Sequence, residues 1–283
     1  KPNAWVTFSG SAALTATAGV ALSGGTDGTA ADSSYADFLT ALEPYNFDVL
    51  VYDGTDSAVR QAFTAFVQRV SNQEGRCSQL VTTGAETADS RFVINNKVGV
   101  VLDGGEVLTA QEAVWWLAGA EAGAQYYQSL SCAVYPGAVD VVPRMTGSQI
   151  EAAILEGSIV LSEEFGLVRV ETDVNTLTSF TPDVDEAFKK NRTMRCCNNL
   201  ANDIYREFHR NYLGKVSNTE SGRALFKAAV LNYLLTMFGK GALRQRPTGE
   251  DVDVLMGDAI DSIAVNLALY LADAVERIYM TVT

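Results

Sequence analysis

The chain has 283 residues and a formal charge of −13, from 21 Lys and Arg against 34 Asp and Glu. That balance argues against wholesale nucleic-acid binding, which needs a basic surface. No apolar run approaches the roughly 20 residues that span a bilayer; residues 114–124 come nearest, and Glu121 interrupts them.

Residues 5–8 begin an extended segment, and small residues follow to Ser23. Gly24-Gly25-Thr26-Asp27-Gly28-Thr29 is a loop. No Lys-Ser/Thr follows it and G-x-G-x-x-G is missing, so a plain loop is expected rather than a phosphate cradle. Ser33 or Ser34 can cap a helix carrying Tyr35, Phe38, Leu39 and Leu42 and stopping near Pro44. Residues 47–52 read as a buried strand. A second helix carries Val59, Ala62, Phe63, Phe66, Val67 and Val70 on one side, and Gly75 closes it. Residues 77–81 form the next strand, so strand, helix and strand imply a right-handed parallel crossover.

Residues 92–94 and 98–102 are further strands. Thr109-Ala110-Gln111-Glu112 is a capping box opening a third helix. Its small residues, Ala118-Gly119-Ala120 and Ala122-Gly123-Ala124, admit a second backbone; internal packing is expected over a subunit contact. Residues 139–145 are extended, and 146–156 form a short helix ended by Gly157. Residues 158–161 and 167–171 face each other as a hairpin.

Thr181-Pro182-Asp183 reads as a helix start. The helix is expected over 182–213, with Gly214 as its left-handed cap and Met194, Cys197, Ala201, Ile204, Tyr205, Phe208 and Tyr212 as its buried stripe. Its other faces carry Lys189, Lys190, Arg192, Arg195, Arg206 and Arg210. A second helix, with Leu225, Phe226, Val230, Leu234 and Met237 among its apolar residues, ends near Lys240, and Arg244 and Arg246 follow. Residues 252–255 read as a strand. Ile263, Val265, Leu267, Leu269 and Leu271 alternate as one long half-buried strand, and residues 279–283 are a last extended segment.

Nothing here assembles as chemistry. The one histidine, His209, sits beside Arg206 and Arg210 with no Cys or His at metal spacing. Asp53/Asp56, Asp251/Asp253 and Asp258/Asp261 fit no EF-hand loop. Cys77, Cys132, Cys196 and Cys197 form no C-x-x-C pair and read as free thiols. No catalytic, cofactor-binding or metal-binding residue is expected. Between 189 and 227 the cations far outnumber Asp203, Glu207 and Glu220. That face is either solvated or meets an acidic partner, and residue type alone leaves both readings open.

One stretch carries more. Val170 through Asn175-Thr176-Leu177, then Lys190-Asn191-Arg192, then Tyr212-Leu213-Gly214-Lys215-Val216 with Asn218 and Gly222-Arg223, resembles the C-terminal half of contractile phage tail sheath proteins. The likeness extends upstream to Gly24–Gly28, Tyr52-Asp53-Gly54-Thr55-Asp56 and Ala118–Gly123, and ends at Tyr279-Met280-Thr281-Val282. It implies a structural protein, not an enzyme. By this resemblance residues 1–22 are a truncated N-terminal arm, 23–150 an α/β subdomain with a partly parallel sheet, and 151–283 an α+β core with two long helices on a sheet, nearest the tube. Partners would be further copies of the chain, the tail tube protein, and baseplate and terminator proteins, with neither nucleic acid nor membrane insertion. The place would be the virion tail sheath, assembled in the host bacterial cytoplasm. Lys189, Lys190, Arg192, Arg195, Arg206, Arg210, Lys240, Arg244 and Arg246 become the candidate tube or subunit surface. Tyr279, Met280, Thr281, Val282 and Thr283 become the candidate C-terminal arm strand. With the arms cut short at both ends, the chain is expected to stay monomeric. The rivals are an α/β nucleotide- or sugar-phosphate-binding enzyme and another virion structural protein.

Overall fold

The structure, a computed structural model, describes residues 31–276 and 280–281. The expected N-terminal arm, the glycine loop at 24–29, and Tyr279, Val282 and Thr283 of the expected terminal strand lie outside the described residues. Met280 and Thr281 are exposed and belong to no strand.

In chain order come α1 (Asp32–Leu42), β1 (Val49–Val51), α2 (Ser57–Gln73), β2 (Gln79–Thr82), β3 (Val93–Asn96), β4 (Gly99–Leu102), β5 (Val107–Leu108) and α3 (Ala110–Gly123). Next are β6 (Ala138–Val142), α4 (Gly147–Leu155), β7 (Ser158–Ile159), β8 (Leu161–Glu164) and β9 (Leu167–Val170). A 3₁₀ turn (Glu186–Lys189) precedes α5 (Asn191–Asn211), α6 (Glu220–Gly239), β10 (Val252–Met256) and β11 (Ile263–Leu267).

The first domain is α/β. Its sheet has the order β1-β2-β3-β7, and every pair is parallel. Strands buried on both faces need apolar residues at odd and even positions alike. Leu50, Leu80 and Val93 meet Val59, Phe63, Phe66, Val67 and Val70 of α2. Val81 and Ile94 take the opposite side, in one core with Val114, Leu117 and Ala118 of α3. Local signals place the helices. Asp56 accepts from the Ala58 and Val59 amides at 2.7 and 3.0 Å to start α2. Thr109 and Glu112 form the expected capping box of α3, and Thr146 with Gln149 forms another at α4. At α1 the N-cap is Ala31 rather than Ser33 or Ser34, and no side chain caps it.

The run 158–161 divides. Ser158 and Ile159 join the parallel sheet beside Asn95 and Asn96, while Leu161 pairs with Val170 in the β8–β9 hairpin. Ile159, Leu161, Val168, Val170 and Val174 therefore share the first domain's core. The first core thus draws in residues on both sides of the expected 150/151 division.

The second domain is α+β. α5 and α6 run antiparallel, with Phe226 of α6 packed on Phe208 and Tyr212 near the end of α5. They cover one face of the antiparallel pair β10–β11, around Leu200, Phe226, Val230, Leu234, Met237 and Val252. Three expectations change here. Ala201 and Tyr205 of the expected buried stripe are exposed. The long helix starts at Asn191, not Pro182. Asn175 N donates to Lys189 O at 2.9 Å and Val174 bridges Lys190, which holds Lys190 extended (φ −82°, ψ 125°) and resets the helix after it. The alternating run ends as a strand at Leu267; Leu269 and Leu271 still face the core, but Leu271 bridges Leu243 instead of β10.

Candidate assembly surface and the junction behind it

The cations expected to face a partner separate into three groups. Arg192 and Arg195 are buried, 6% and 5% exposed, and cannot face a partner. Arg192 Nε donates to Tyr127 O at 2.8 Å, and one of its terminal nitrogens to Gly241 O at 3.2 Å. Arg195 donates to Gln128 O and pairs with Glu121 and, at 3.3 Å, with Asp173. All of these acceptors but Gly241 come from the first domain, so these cations serve the seam between domains.

Lys189 and Lys190 are half-buried. Lys189 Nζ donates to Leu155 O at 2.7 Å, and burial lowers its pKa. Lys190 pairs with Glu276. The remaining cations are exposed, at opposite ends of the helix pair. Arg206 and Arg210 lie near the end of α5, and Arg206 bonds Asp203 at 2.9 Å. Lys240, Arg244 and Arg246 follow α6, near the start of α5, where Arg192 reaches Gly241. Arg192 and Arg210 are 18 residues apart, which is about 27 Å of helix.

The junction was hidden from residue-type reasoning. Asp173 Oδ1 accepts from Asn191 Nδ2 at 2.8 Å, and Oδ2 from Leu130 N at 3.0 Å. Asn191 also donates to Val174 O at 2.9 Å and accepts from Gln79 Nε2 at 3.2 Å. Asn175 Nδ2 donates to Phe188 O at 2.8 Å. The Thr176 hydroxyl donates to Ser90 O at 3.0 Å and accepts from Ser90 N at 3.1 Å. Polar groups can stay this deep only when nearly every donor and acceptor is matched. The available signal was the spacing: Asn191, Arg192 and Arg195 fall on one helical face.

Two members are incompletely matched, Arg195 at its Nε and Glu121. Glu121 is buried, and its Oε1 has no hydrogen-bond partner. Burial and the neighbouring Asp173 push its pKa well above the usual carboxylate range, against the pull of Arg195. Burial opposes the Arg195 charge, but Glu121 and Asp173 outweigh it and keep the guanidinium protonated. A carboxyl raised in the fold makes stability fall as pH climbs above its unfolded value of about 4.3. Glu121→Gln removes that titration. The variant is expected to lose less melting temperature than the parent between pH 5 and pH 8, read by thermal unfolding at each pH. Parallel curves would contradict the assignment.

Among the described residues no group of His, Cys, Asp or Glu converges as metal ligands, and no helix is long and apolar enough to cross a membrane.

Residues 28–176 match the family profile described as phage tail sheath protein central domain, and residues 183–283 match the phage tail sheath C-terminal domain. The chain belongs to the phage tail sheath family.

The phage-like element PBSX protein XkdK of Bacillus subtilis is 33% identical over 278 residues, covering 95% of this sheath chain and 59% of its own length. A sheath tail protein of Desulfitobacterium hafniense superposes with a TM-score of 0.86 at 39% identity, over 99% of this chain and 66% of that one. The anti-feeding prophage helical sheath in its contracted state shares the fold, with a TM-score of 0.70 at 15% identity over 91% of this chain and 76% of that one. The sheath chain thus spans about three fifths of XkdK. In sheath terms the junction is the seam between the matched domains. Asp173, Asn175 and Thr176 close the first match, and Asn191, Arg192 and Arg195 lie in the second.

Proposed function

We propose that the chain is the body of a sheath subunit that polymerises helically around a tail tube and contracts to drive it through a host envelope. The observation that carries this beyond family membership is β10–β11. It is a two-stranded sheet packed on one face, and neither outer edge carries a further strand among the described residues. A lone pair of strands is marginal in water, and free edges are templates for another chain. An added strand from a neighbouring copy, such as the 279–283 segment, completes such a sheet by main-chain hydrogen bonds. The contact is heterologous, so it propagates as a helix rather than closing a dimer. The role is mechanical, not catalytic. Tube, baseplate and terminator proteins are the remaining partners, with assembly in the host cytoplasm.

The exposed cations now define two separable tests in the full-length sheath mixed with its tube protein, followed by sedimentation and electron microscopy. Arg206→Glu with Arg210→Glu reverses one end of the helix pair. Lys240→Glu with Arg244→Glu and Arg246→Glu reverses the other. One set is expected to weaken tube attachment about tenfold, as loss of complementary charge does. Unchanged attachment in both would discard a charged tube-facing surface and leave strand addition as the remaining contact.

A further inference from the structure

A strap closes over the junction. After β11 the chain runs back along the end of α6. Ala268 N donates to Asp251 O at 2.9 Å, Arg244 N to Tyr270 O at 2.7 Å, and Ala272 N to Ala242 O at 2.9 Å. Glu276 then reaches both sides of the seam. Its Oε1 accepts from Ser131 Oγ at 2.6 Å in the first domain, and its Oε2 pairs with Lys190 at the root of α5. The same Ser131 oxygen accepts from the Asp173 amide at 2.9 Å, so Glu276 is wired into the buried cluster. The Lys190 and Glu276 side chains are only 24% and 18% exposed, which shields the pair from solvent screening better than an open surface pair.

Farther along α5 the domains part. A groove of about 810 Å³ opens between Tyr45, Asp48 and Arg76 of the first domain and Asn202, Tyr205 and His209 of α5. A hydrogen bond from Asn202 Nδ2 to Cys77 O, at 3.3 Å, crosses there. The dense polar contacts sit at the start of α5, which is the geometry of a hinge at one end and a gap beyond it.

We propose that residues 268–276 are a strap whose clip, Glu276, holds the two domains at one angle, and that withdrawing the strap frees them to pivot about the start of α5. The proposal rests on contacts within one chain and stands whether or not the chain polymerises.

Hydrogen exchange of the whole chain, read by mass spectrometry, tests it. Glu276→Ala is expected to speed exchange about tenfold at the amides of 173–176 and 191–195, with β2 and β3 unchanged, because opening is local. Glu276→Gln, which keeps the shape, is expected to give a smaller rise at the same amides. The charge swap Lys190→Glu with Glu276→Lys is expected to restore protection. Unchanged exchange at 191–195 in Glu276→Ala overturns the strap. So does loosening that spreads equally to β2 and β3, since Glu276 would then support the whole fold rather than one seam.

Discussion

Arg195→Met is expected to destabilise the chain by about 3–5 kcal/mol, the usual cost of removing one partner from a buried charge cluster. Methionine fills much of the same space, so packing is not the main loss. Asp173, fully buried, loses its cation, and Glu121 loses the only hydrogen bond it receives from Arg195. The Gln128 carbonyl loses a donor as well. Arg195→Lys is not a rescue, because an ammonium cannot reach Glu121, Asp173 and Gln128 with the fixed fork of a guanidinium. Adding Glu121→Gln and Asp173→Asn to Arg195→Met is expected to recover part of the loss, since no unpaired charge then stays buried. Chemical denaturation read by tryptophan fluorescence measures all of these. A loss below about 1 kcal/mol for Arg195→Met would falsify the view that the cluster holds the seam.

Gly157→Ala is the second large effect, at about 2–6 kcal/mol. Gly157 has φ +86°, where an L side chain is strained by about 1–3 kcal/mol. A Cβ there would also stand 2.7 Å from Thr176 Cα and 2.9 Å from Asn175 O. Both neighbours are backbone and cannot swing aside, and such overpacking adds about 1–3 kcal/mol. The damage is aimed: it pushes away the 175–176 segment that bonds Ser90 and Phe188. Gly105→Ala is the matched control, with φ +80° but open space around its Cβ. Its melting temperature is expected to fall less than that of Gly157→Ala. Equal falls would mean that backbone strain, not the clash with Thr176, sets the cost.

The parts legible in the sequence were those encoded within a few residues. The crossover from β1 through α2 to β2 follows from a cap at Asp56, an apolar stripe and a glycine stop, all local. The capping box at Thr109 reads the same way. Arg192 and Arg195 were misread because charge usually means exposure, and their acceptors at Tyr127, Gln128 and Glu121 lie more than 60 residues upstream. The start of α5 failed for a related reason. Pro182 and its acidic neighbours favour a helix start, but the bridge from Val174 to Lys190 holds the chain extended there. Of the candidate surface cations, Arg206, Arg210, Lys240, Arg244 and Arg246 remain exposed, and the two deepest belong to the seam. The likeness to sheath proteins already singled out 170–177 and 190–192, without saying that Asn191 bonds Asp173 and Val174 across a domain boundary.

The wiring around Asn191 also bears on how the molecule comes apart. Gln79, Asp173 and Val174 on one side and the first turn of α5 on the other complete one another's hydrogen bonds. Separated, each half would strand buried donors or acceptors that water reaches only after further unravelling. Melting should therefore sweep through the two halves in one concerted event, and a cut in the 177–190 connection would yield fragments that recombine rather than two self-sufficient modules.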